Sequence, residues 1–341
     1  MAIRIKDIAE MAGVSPATVS LVLNSKPGAG EGVRERVLRI AKEQGYVPLR
    51  SSSSAPAGET ACFLHIARHG HTINRDHDVF IADYIEGLGQ GAKQHGLGLE
   101  VLTYKSTPVE LIVEAAQASQ AEGIVILGTE LSASDVEAFS AVRKPLVFLD
   151  TYHDFLPFDF VDMNNGDAAF TVVSYLKELG HRSIGLVKGE IETRNFRLRE
   201  EGFVASLDRL GLDFDPGLVF SVDQTFHGAY EGMLALLKGG TSLPSALFCE
   251  NDIIACGVLR ALKEKGVRVP EDISLVGFDD LPLSSVVDPP LTTIQVSKAQ
   301  IGRTAIQLLQ TRIRSEADEP PSKVLIGGRL VVRQSTRAVP A

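Results

Sequence analysis

A histidine-rich segment is the first place where this sequence could hold a metal ion. Histidines two residues apart in a loop form no fixed tetrahedral set, and no second cluster of ligands occurs elsewhere in the chain. We therefore predict no metal site, and we interpret 67–78 as the loop after the first strand, where His69 can hydrogen-bond a ligand in a cleft. The segment contains four histidines and two aspartates: His65, His69, His71, Asp76, His77 and Asp78.

Two other patterns imitate catalytic sites. The segment GLGQGA at 87–92 fits a dinucleotide-binding motif, but it lies inside a predicted helix rather than directly after a strand. Adjacent side chains at a strand end point in opposite directions, so Asp279 and Asp280 cannot act together on one bond. No GxSxG, Walker A or HExxH motif occurs in the sequence. We therefore predict that the protein binds no cofactor and is not an enzyme.

Polar residues at the ends of predicted strands indicate a ligand-binding cleft. A series of strand, helix and polar strand end occurs twice, around 95–150 and around 209–280, which predicts two similar lobes. Ligands of open α/β sheets bind beyond the carboxyl ends of the strands. Asp150, Asn251 and Asp279 lie at such ends, so we expect them to line a cleft between the lobes.

The elements that must position these residues alternate along the chain from Ala61 onward. Short apolar strands and amphipathic helices follow one another, which predicts a parallel α/β architecture. The predicted strands are 61–67, 99–104, 123–127, 145–150, 183–187, 246–249 and 273–278. The predicted helices are 81–95, 109–121, 133–141, 166–179, 196–210, 226–238, 252–265 and 297–310.

The first 48 residues predict a different, three-helix unit. Within 5–24, apolar residues recur at helical spacing on both sides of Gly13, which permits a sharp turn. Ser15 can cap the second helix, and Pro16 suits its first position. A third helix is predicted over 31–44. Two helices joined by such a turn are typical of a helix-turn-helix that reads the major groove of DNA; a packing unit without a DNA role remains the alternative.

Composition and charge support an intracellular, two-part protein. The chain has 341 residues and a net charge of −9. Residues 1–50 contain eight Lys/Arg against five Asp/Glu, whereas the remainder carries −12, so a basic head joins an acidic body. Three scattered cysteines suggest no disulfide framework. There is no signal-peptide stretch and no apolar run of about 18 residues, so we expect a cytoplasmic protein with no membrane partner.

Several motifs resemble one known family. The string KDIAEMAGVSPATVSLVLN, followed by GYVP at 45–48, resembles the headpiece of the LacI/GalR family of bacterial repressors. RLREEGF at 197–203, FCENDIIACGVLRAL at 248–262 and DISLVGFDDLPLSSVVDPPLTTI at 272–294 resemble segments of its sensor domain, in the family's order. The resemblance implies a homodimer whose headpieces read a pseudo-palindromic operator in double-stranded DNA. The implied DNA contacts are Lys6, Ser15, Pro16, Ala17, Thr18, Ser20, Leu21 and Asn24.

The resemblance also implies a site for a small polar effector, a sugar in many members. Carboxylates would accept hydrogen bonds from hydroxyl groups, Arg and Asn would donate, and an aromatic ring would cover an apolar sugar face. Carried over to this chain, and with the loop histidine included, the predicted effector contacts are His69, Asp150, Arg199, Phe226, Asn251 and Asp279.

The chain departs from the family pattern at three places. Leu21 stands where the family often has a polar or basic residue, so the base-reading surface offers contact with thymine methyl groups more than hydrogen bonds. Positions 52–55 read Ser-Ser-Ser-Ala where the family has a helix with a leucine wedge. We hypothesise a weakly helical hinge that bends DNA less than is usual. Gly128 replaces an asparagine that some sugar-binding relatives use.

The predicted fold class is α/β, with a three-helix helix-turn-helix headpiece and a two-lobed, periplasmic-binding-protein-like sensor of parallel sheets flanked by helices. The predicted function is an effector-controlled repressor. A sugar-binding or solute-binding module without a DNA-reading role is the main alternative, and a sugar-processing enzyme is a weaker one. The predicted boundaries are 1–48 for the headpiece, 49–60 for the hinge, 61–162 with 293–320 for the first lobe, and 163–290 with 321–338 for the second.

Overall fold

The computed structural model describes residues 9, 11–15, 18–19, 22, 30, 32–33, 36–37, 40, 59–68, 78–315 and 319–339. The chain forms two compact units, Met1–Ala57 and Gly58–Ala341. The boundary between them falls inside the predicted hinge 49–60.

The first unit shows the turn that the sequence predicts. Residues 11–12 and 18–19 are helical, and Gly13 between them has a φ of +62°, a left-handed conformation that glycine adopts without strain. The Ser15 hydroxyl accepts a hydrogen bond from the main-chain N–H of Thr18 at 3.1 Å, so Ser15 caps the second helix. Buried apolar side chains of this unit form one small core: Ala9, Ala12, Val19, Val22 and Val37.

The second unit contains every strand and helix predicted from Ala61 onward. The strands are β1 Thr60–Ala67, β2 Gly98–Lys105, β3 Gly123–Leu127, β4 Leu146–Leu149, β5 Asp159–Met163, β6 Ile184–Gly189, β7 Val219–Val222, β8 Ala246–Cys249, β9 Ser274–Val276, β10 Thr293–Gln295, β11 Lys323–Ile326 and β12 Arg329–Val331. The helices are α1 Asp78–Gln94, α2 Val109–Ala118, α3 Ala133–Ala138, α4 Asn165–Glu178, α5 Arg194–Arg209, α6 Phe226–Lys238, α7 Asp252–Glu264, α8 Pro282–Val286 and α9 Lys298–Arg314. None of the described helices is both long and apolar enough to cross a membrane.

Two parallel sheets define two lobes. The first lobe is built on a six-stranded sheet of order β11-β5-β4-β3-β1-β2, against which α9 packs. The second lobe is built on a four-stranded sheet of order β7-β6-β8-β9, flanked by α5, α6 and α7. A small antiparallel pair, β10 and β12, lies beside the second sheet, because bridges join Thr292 to Val276 and Gln295 to Asp279. This arrangement confirms the predicted fold class.

Two short strands, β11 and β10, pair with the sheet of the lobe opposite to the predicted one. β11 pairs with β5 in the first sheet, although 321–338 was assigned to the second lobe. Val324 and Ile326 of β11 pack against the main hydrophobic core from this edge position, which explains the pairing. β10 bridges to the second sheet, although 293–320 was assigned to the first lobe. The remaining boundaries stay a prediction.

The hydrophobic core is continuous from one sheet to the other. One cluster of buried side chains includes Val161 and Met163 of β5 as well as Phe203, Phe248 and Phe278 of the second lobe. Burial of aromatic rings is a large stabilising contribution. The two lobes are therefore packed against each other where the carboxyl ends of their strands meet.

Candidate ligand site between the lobes

A cavity lies where the carboxyl ends of the two sheets face each other. Counted to its open mouth, it holds about 510 Å³ of space between atoms. Its apolar wall consists of Ile66, Phe80, Ile81, Leu127 and Phe196. Four of the predicted effector contacts form much of its polar wall: Asp150, Arg199, Asn251 and Asp279. An apolar cavity with a few convergent polar groups is the usual form of a small-molecule site.

Asp150 directly follows β4 and is buried in the cavity wall. Its carboxylate accepts hydrogen bonds from the Tyr84 hydroxyl at 2.8 Å and from the Thr129 hydroxyl at 2.5 Å. Asn195 of the second lobe donates to both the main-chain oxygen and the carboxylate of Asp150, at 3.0 and 3.2 Å. Burial raises the pKa of Asp150 to about 6, although the hydrogen bonds from Thr129 and Tyr84 oppose that shift. Asp150 therefore joins the two lobes inside the site.

Arg199 supplies a buried positive charge from the middle of α5. Its side chain is 4% exposed, and its guanidinium lies 3.8 Å from the centre of the Phe278 ring. Nε donates to Asn165 Oδ1 at 2.9 Å, and Nη1 donates to the main-chain oxygen of Glu250 at 2.5 Å. Nη2 lies 3.8 Å from Asp279 Oδ1. Because arginine keeps its charge in proteins, it stabilises the ionised form of the cavity carboxylates.

Only the oxygen of the Asn251 side-chain amide is hydrogen-bonded among the described residues. Its Oδ1 accepts a hydrogen bond from the main-chain N–H of Ile254 at 2.8 Å and thereby caps α7. Its Nδ2 is buried and has no hydrogen-bond partner among the described residues. A buried donor without an acceptor costs about 1–3 kcal/mol. A ligand oxygen in the cavity would remove that cost.

Asp279 and Asp280 follow β9, and the two residues have different surroundings. Asp279 lines the cavity with a φ of +108°, and Lys298 Nζ donates to its main-chain oxygen at 2.9 Å. The Asp280 carboxylate accepts from Arg333 Nη2 at 2.6 Å and from Gln295 Nε2 at 2.8 Å. Only Asp279 is therefore placed to contact a ligand in the cavity.

Glu250 is a second buried carboxyl group close to the site. It lies between β8 and α7, next to Asn251, and its Oε2 accepts from the main-chain N–H of Gly189 at 2.9 Å. Burial raises the pKa of Glu250 to about 8, because the opposing effects of Gly189 and Arg199 are smaller. The main-chain oxygen of Glu250 accepts a hydrogen bond from Arg199, so Glu250 also helps to fix the position of the buried guanidinium.

One predicted contact lies elsewhere in the structure. The ring of Phe226, at the start of α6, packs against buried residues of the second lobe, and the Arg260 guanidinium lies 5.9 Å from its centre. Among the described residues, the aromatic rings that line the cavity belong to Phe80 of α1 and Phe196 of α5, and the effector contact of Phe226 stays a prediction. The predicted contacts Lys6, Pro16, Ala17, Ser20, Leu21, Asn24 and His69, and hinge positions 52–55, lie outside the described residues.

Sequence reasoning missed the three polar residues that hold Asp150 in place. Thr129 and Tyr84 donate to Asp150, and Asn195 crosses between the lobes. One signal was available for Asn195, since it lies four residues before Arg199 and therefore on the same helix face. The structure also explains why position 128 is a glycine, because a Cβ there would lie 2.3 Å from Cγ2 of Thr151.

Comparison with known proteins agrees with this geometry. Residues 4–49 match the family "Bacterial regulatory proteins, lacI family", and residues 173–336 match a periplasmic binding protein-like domain. The HTH-type transcriptional repressor PurR of Haemophilus influenzae is 32% identical over 98% of this chain and 99% of its own length. The HTH-type transcriptional repressor CytR of Escherichia coli is 32% identical over 98% of this chain and 96% of its own length.

Solved structures give the same result. The complex of the transcriptional regulator CelR with cellobiose is 25% identical, covers 98% of this chain and 99% of its own, and has a TM-score of 0.73. The Lac repressor dimer bound to operator and the anti-inducer ONPF is 28% identical, covers 99% and 100%, and has a TM-score of 0.72. The resemblance read from the motifs is thereby confirmed, and this chain belongs to the lacI family of bacterial regulatory proteins, as a DNA-binding transcriptional regulator and not an enzyme.

Proposed function

We propose that this protein is a repressor that binds a pseudo-palindromic operator as a homodimer, and that a sugar bound between the lobes controls its affinity for the operator. The observation that carries the proposal for the effector is the buried Nδ2 of Asn251, which lines the cavity without a protein acceptor. Buried polar groups are nearly always hydrogen-bonded in proteins, so this donor indicates a ligand oxygen.

The chemistry around Asn251 suits a polyhydroxylated molecule. The carboxylates of Asp150 and Asp279 can accept hydrogen bonds from neighbouring hydroxyl groups, and Arg199 and Asn251 can donate to the same oxygens. The rings of Phe80 and Phe196 can cover the apolar face of a sugar. We therefore propose Asp150, Arg199, Asn251 and Asp279 as effector contacts.

The same residues suggest how binding reaches the operator. Asn195 of the second lobe holds Asp150 of the first, and Arg194 donates to the main-chain oxygen of Tyr152 across the cleft at 3.2 Å. A ligand that contacts both lobes binds the closed arrangement more tightly than an open one. It shifts the equilibrium between the two by its difference in affinity, and thereby changes how a dimer presents its headpieces.

Selection of binding sites from random duplex DNA tests this proposal. The full-length protein is compared with a chain that begins at Gly58, at two salt concentrations, with and without a panel of sugars. We expect only the full-length protein to enrich a pseudo-palindrome, with binding that weakens as salt rises and changes with one of the sugars. Equal enrichment of a sequence by both chains would contradict the proposal that the headpiece recognises the DNA sequence. Enrichment that no sugar alters would contradict the proposed effector.

A further inference from the structure

Two buried asparagines lie between the positive and the negative groups of the cavity wall. Asn165 is the first residue of α4, and Asn195 is the second residue of α5. The Nδ2 of Asn165 donates a hydrogen bond to Oδ1 of Asn195 at 3.0 Å, so the two helices meet through a pair of amides. Because buried amides need partners for both their oxygen and their nitrogen, such a pair restricts the orientation of both side chains.

The hydrogen bonds along this pair run in one direction, from Arg199 to Asp150. Arg199 Nε donates to Asn165 Oδ1 at 2.9 Å. At the other end, Asn195 Nδ2 donates to the main-chain oxygen and to the carboxylate of Asp150, at 3.0 and 3.2 Å. Each amide accepts on the side of the cation and donates toward the carboxylate, and hydrogen bonds aligned in this way strengthen one another in a buried site. We call these four residues the amide relay: Arg199, Asn165, Asn195 and Asp150.

The amide relay connects elements of different lobes. Asp150 follows β4 of the first sheet, whereas Asn195 and Arg199 belong to α5 beside the second sheet. Asn165 also donates to the main-chain oxygen of Met163, the last residue of β5, at 3.3 Å. The relay therefore fixes the Asp150 carboxylate with respect to the buried guanidinium only while the two lobes are packed together.

We infer that Asn165 is a positioning residue of the effector site, which holds the Arg199 guanidinium through its own oxygen and the Asp150 carboxylate through Asn195. Asn165 itself does not line the cavity. Among the hydrogen bonds of the described residues, it reaches Asp150 through Asn195. This inference rests on the proposed effector site and adds to it a residue that acts on two of the proposed contacts from behind the wall.

Titration of Asp150 in the full-length protein, without any ligand, tests the inference. Carbon-13 NMR of protein labelled at the aspartate carboxyl groups follows the ionisation, and the signal that is lost in Asp150→Asn assigns it. The proteins are wild type, Asn165→Ala, the milder Asn165→Ser and the control Asn164→Ala. Asn164 is the matched control because its side chain caps α4 next to Asn165 but lies outside the amide relay.

We expect both Asn165 variants to move the titration of Asp150 to higher pH by about half a pH unit or more, because the ionised carboxylate loses the donor that Asn195 directs at it. Asn164→Ala should not move it. In an Asn195→Ala background, Asn165→Ala should add little, since its effect passes through Asn195. The other titratable or charged groups that face Asp150 are present in every one of these variants: Tyr84, Asp162, Arg199 and Asp279.

Three results would overturn the inference. They are an unchanged titration of Asp150 in both Asn165 variants, an equal shift in Asn164→Ala, and an equally large added shift in the Asn195→Ala background. Each would mean that Asn165 contributes to packing and does not position Asp150. The test is independent of the effector, so the expected shift together with operator binding that no sugar alters would contradict the proposed effector and leave the amide relay standing.

Discussion

Replacement of Glu250 by glutamine should make the protein more stable at alkaline pH, because Glu250 is a buried carboxyl group. Its pKa in the folded protein is about 8, against an ordinary value of 4.5. Between those values the folded protein holds a proton that the unfolded chain has released. The free energy of unfolding therefore falls as pH rises from about 4.5 to about 8.

The size of the effect follows from that interval. A shift of one pKa unit corresponds to about 1.4 kcal/mol, so an interval of about 3.5 units corresponds to at most about 5 kcal/mol. Glutamine does not ionise, and its amide oxygen can still accept from the main-chain N–H of Gly189. The free energy of unfolding of Glu250→Gln should therefore match that of wild type at about pH 5. At about pH 8 it should be higher than that of wild type by several kcal/mol, with an upper limit of about 5 kcal/mol.

Urea unfolding at a series of pH values measures this difference. Asp150, Asp162 and Asp252 are also buried carboxyl groups with a raised pKa, but they are present in both proteins and cancel in the comparison. Glu114→Gln is the control, since Glu114 is exposed on α2. Parallel pH profiles for wild type and Glu250→Gln would refute the reasoning, because they would mean that Glu250 is ionised in the folded protein at neutral pH.

Three further predictions concern the cavity and the residues around it. Asn251→Asp keeps an oxygen that can cap α7 but replaces the buried donor with a buried carboxyl group, so effector affinity measured by calorimetry should fall about tenfold or more and the free energy of unfolding should fall as pH rises; Asn251→Ala removes the cap and should lose about 1 kcal/mol of stability. Unchanged affinity in Asn251→Asp would show that the ligand does not use the donor. Gly128→Ala should cost about 1–3 kcal/mol in urea unfolding, and Thr151→Ser, which removes the clashing methyl group, should recover most of it. Arg199→Lys should cost about 3 kcal/mol because lysine cannot reach all of the buried acceptors, whereas the exposed Arg197→Lys should cost under about 0.5 kcal/mol; equal losses would contradict this role for Arg199.

The polar wall of the cavity could be predicted from sequence because of the geometry of parallel sheets. Asp150 comes directly after a short apolar strand, Asn251 and Asp279 come two and three residues after one, and the ends of such strands meet at one edge. Phe226 could not be placed in the same way. It is the first residue of α6, and helical periodicity does not decide whether a ring at that position faces the cleft or the neighbouring helix.

The strands that sequence reasoning missed are short and depend on distant partners. β10 and β12 have three residues each, pair with one another, and meet the second sheet only through isolated bridges. β5 begins with Asp159 and also contains Asp162, so its polarity hides a strand that is fully buried in the sheet. Local patterns contain no information about pairing between β5 and β11, which decided where the last part of the chain lies.

The pairing of β11 with β5 also has a consequence for synthesis of the chain. Phe160 pairs with Lys323, which is 163 residues later, so at ordinary elongation rates about 8 to 30 seconds separate the appearance of the two strands. During that time the edge of β5 has no partner strand, and α9, which covers β3, β4 and β5, appears only shortly before β11. Unpaired strand edges promote aggregation, so the nascent first lobe needs protection on the ribosome until the last residues emerge. A premature stop codon before Lys323 would leave the first lobe without its edge strand, although all four strands of the second sheet would already have been made.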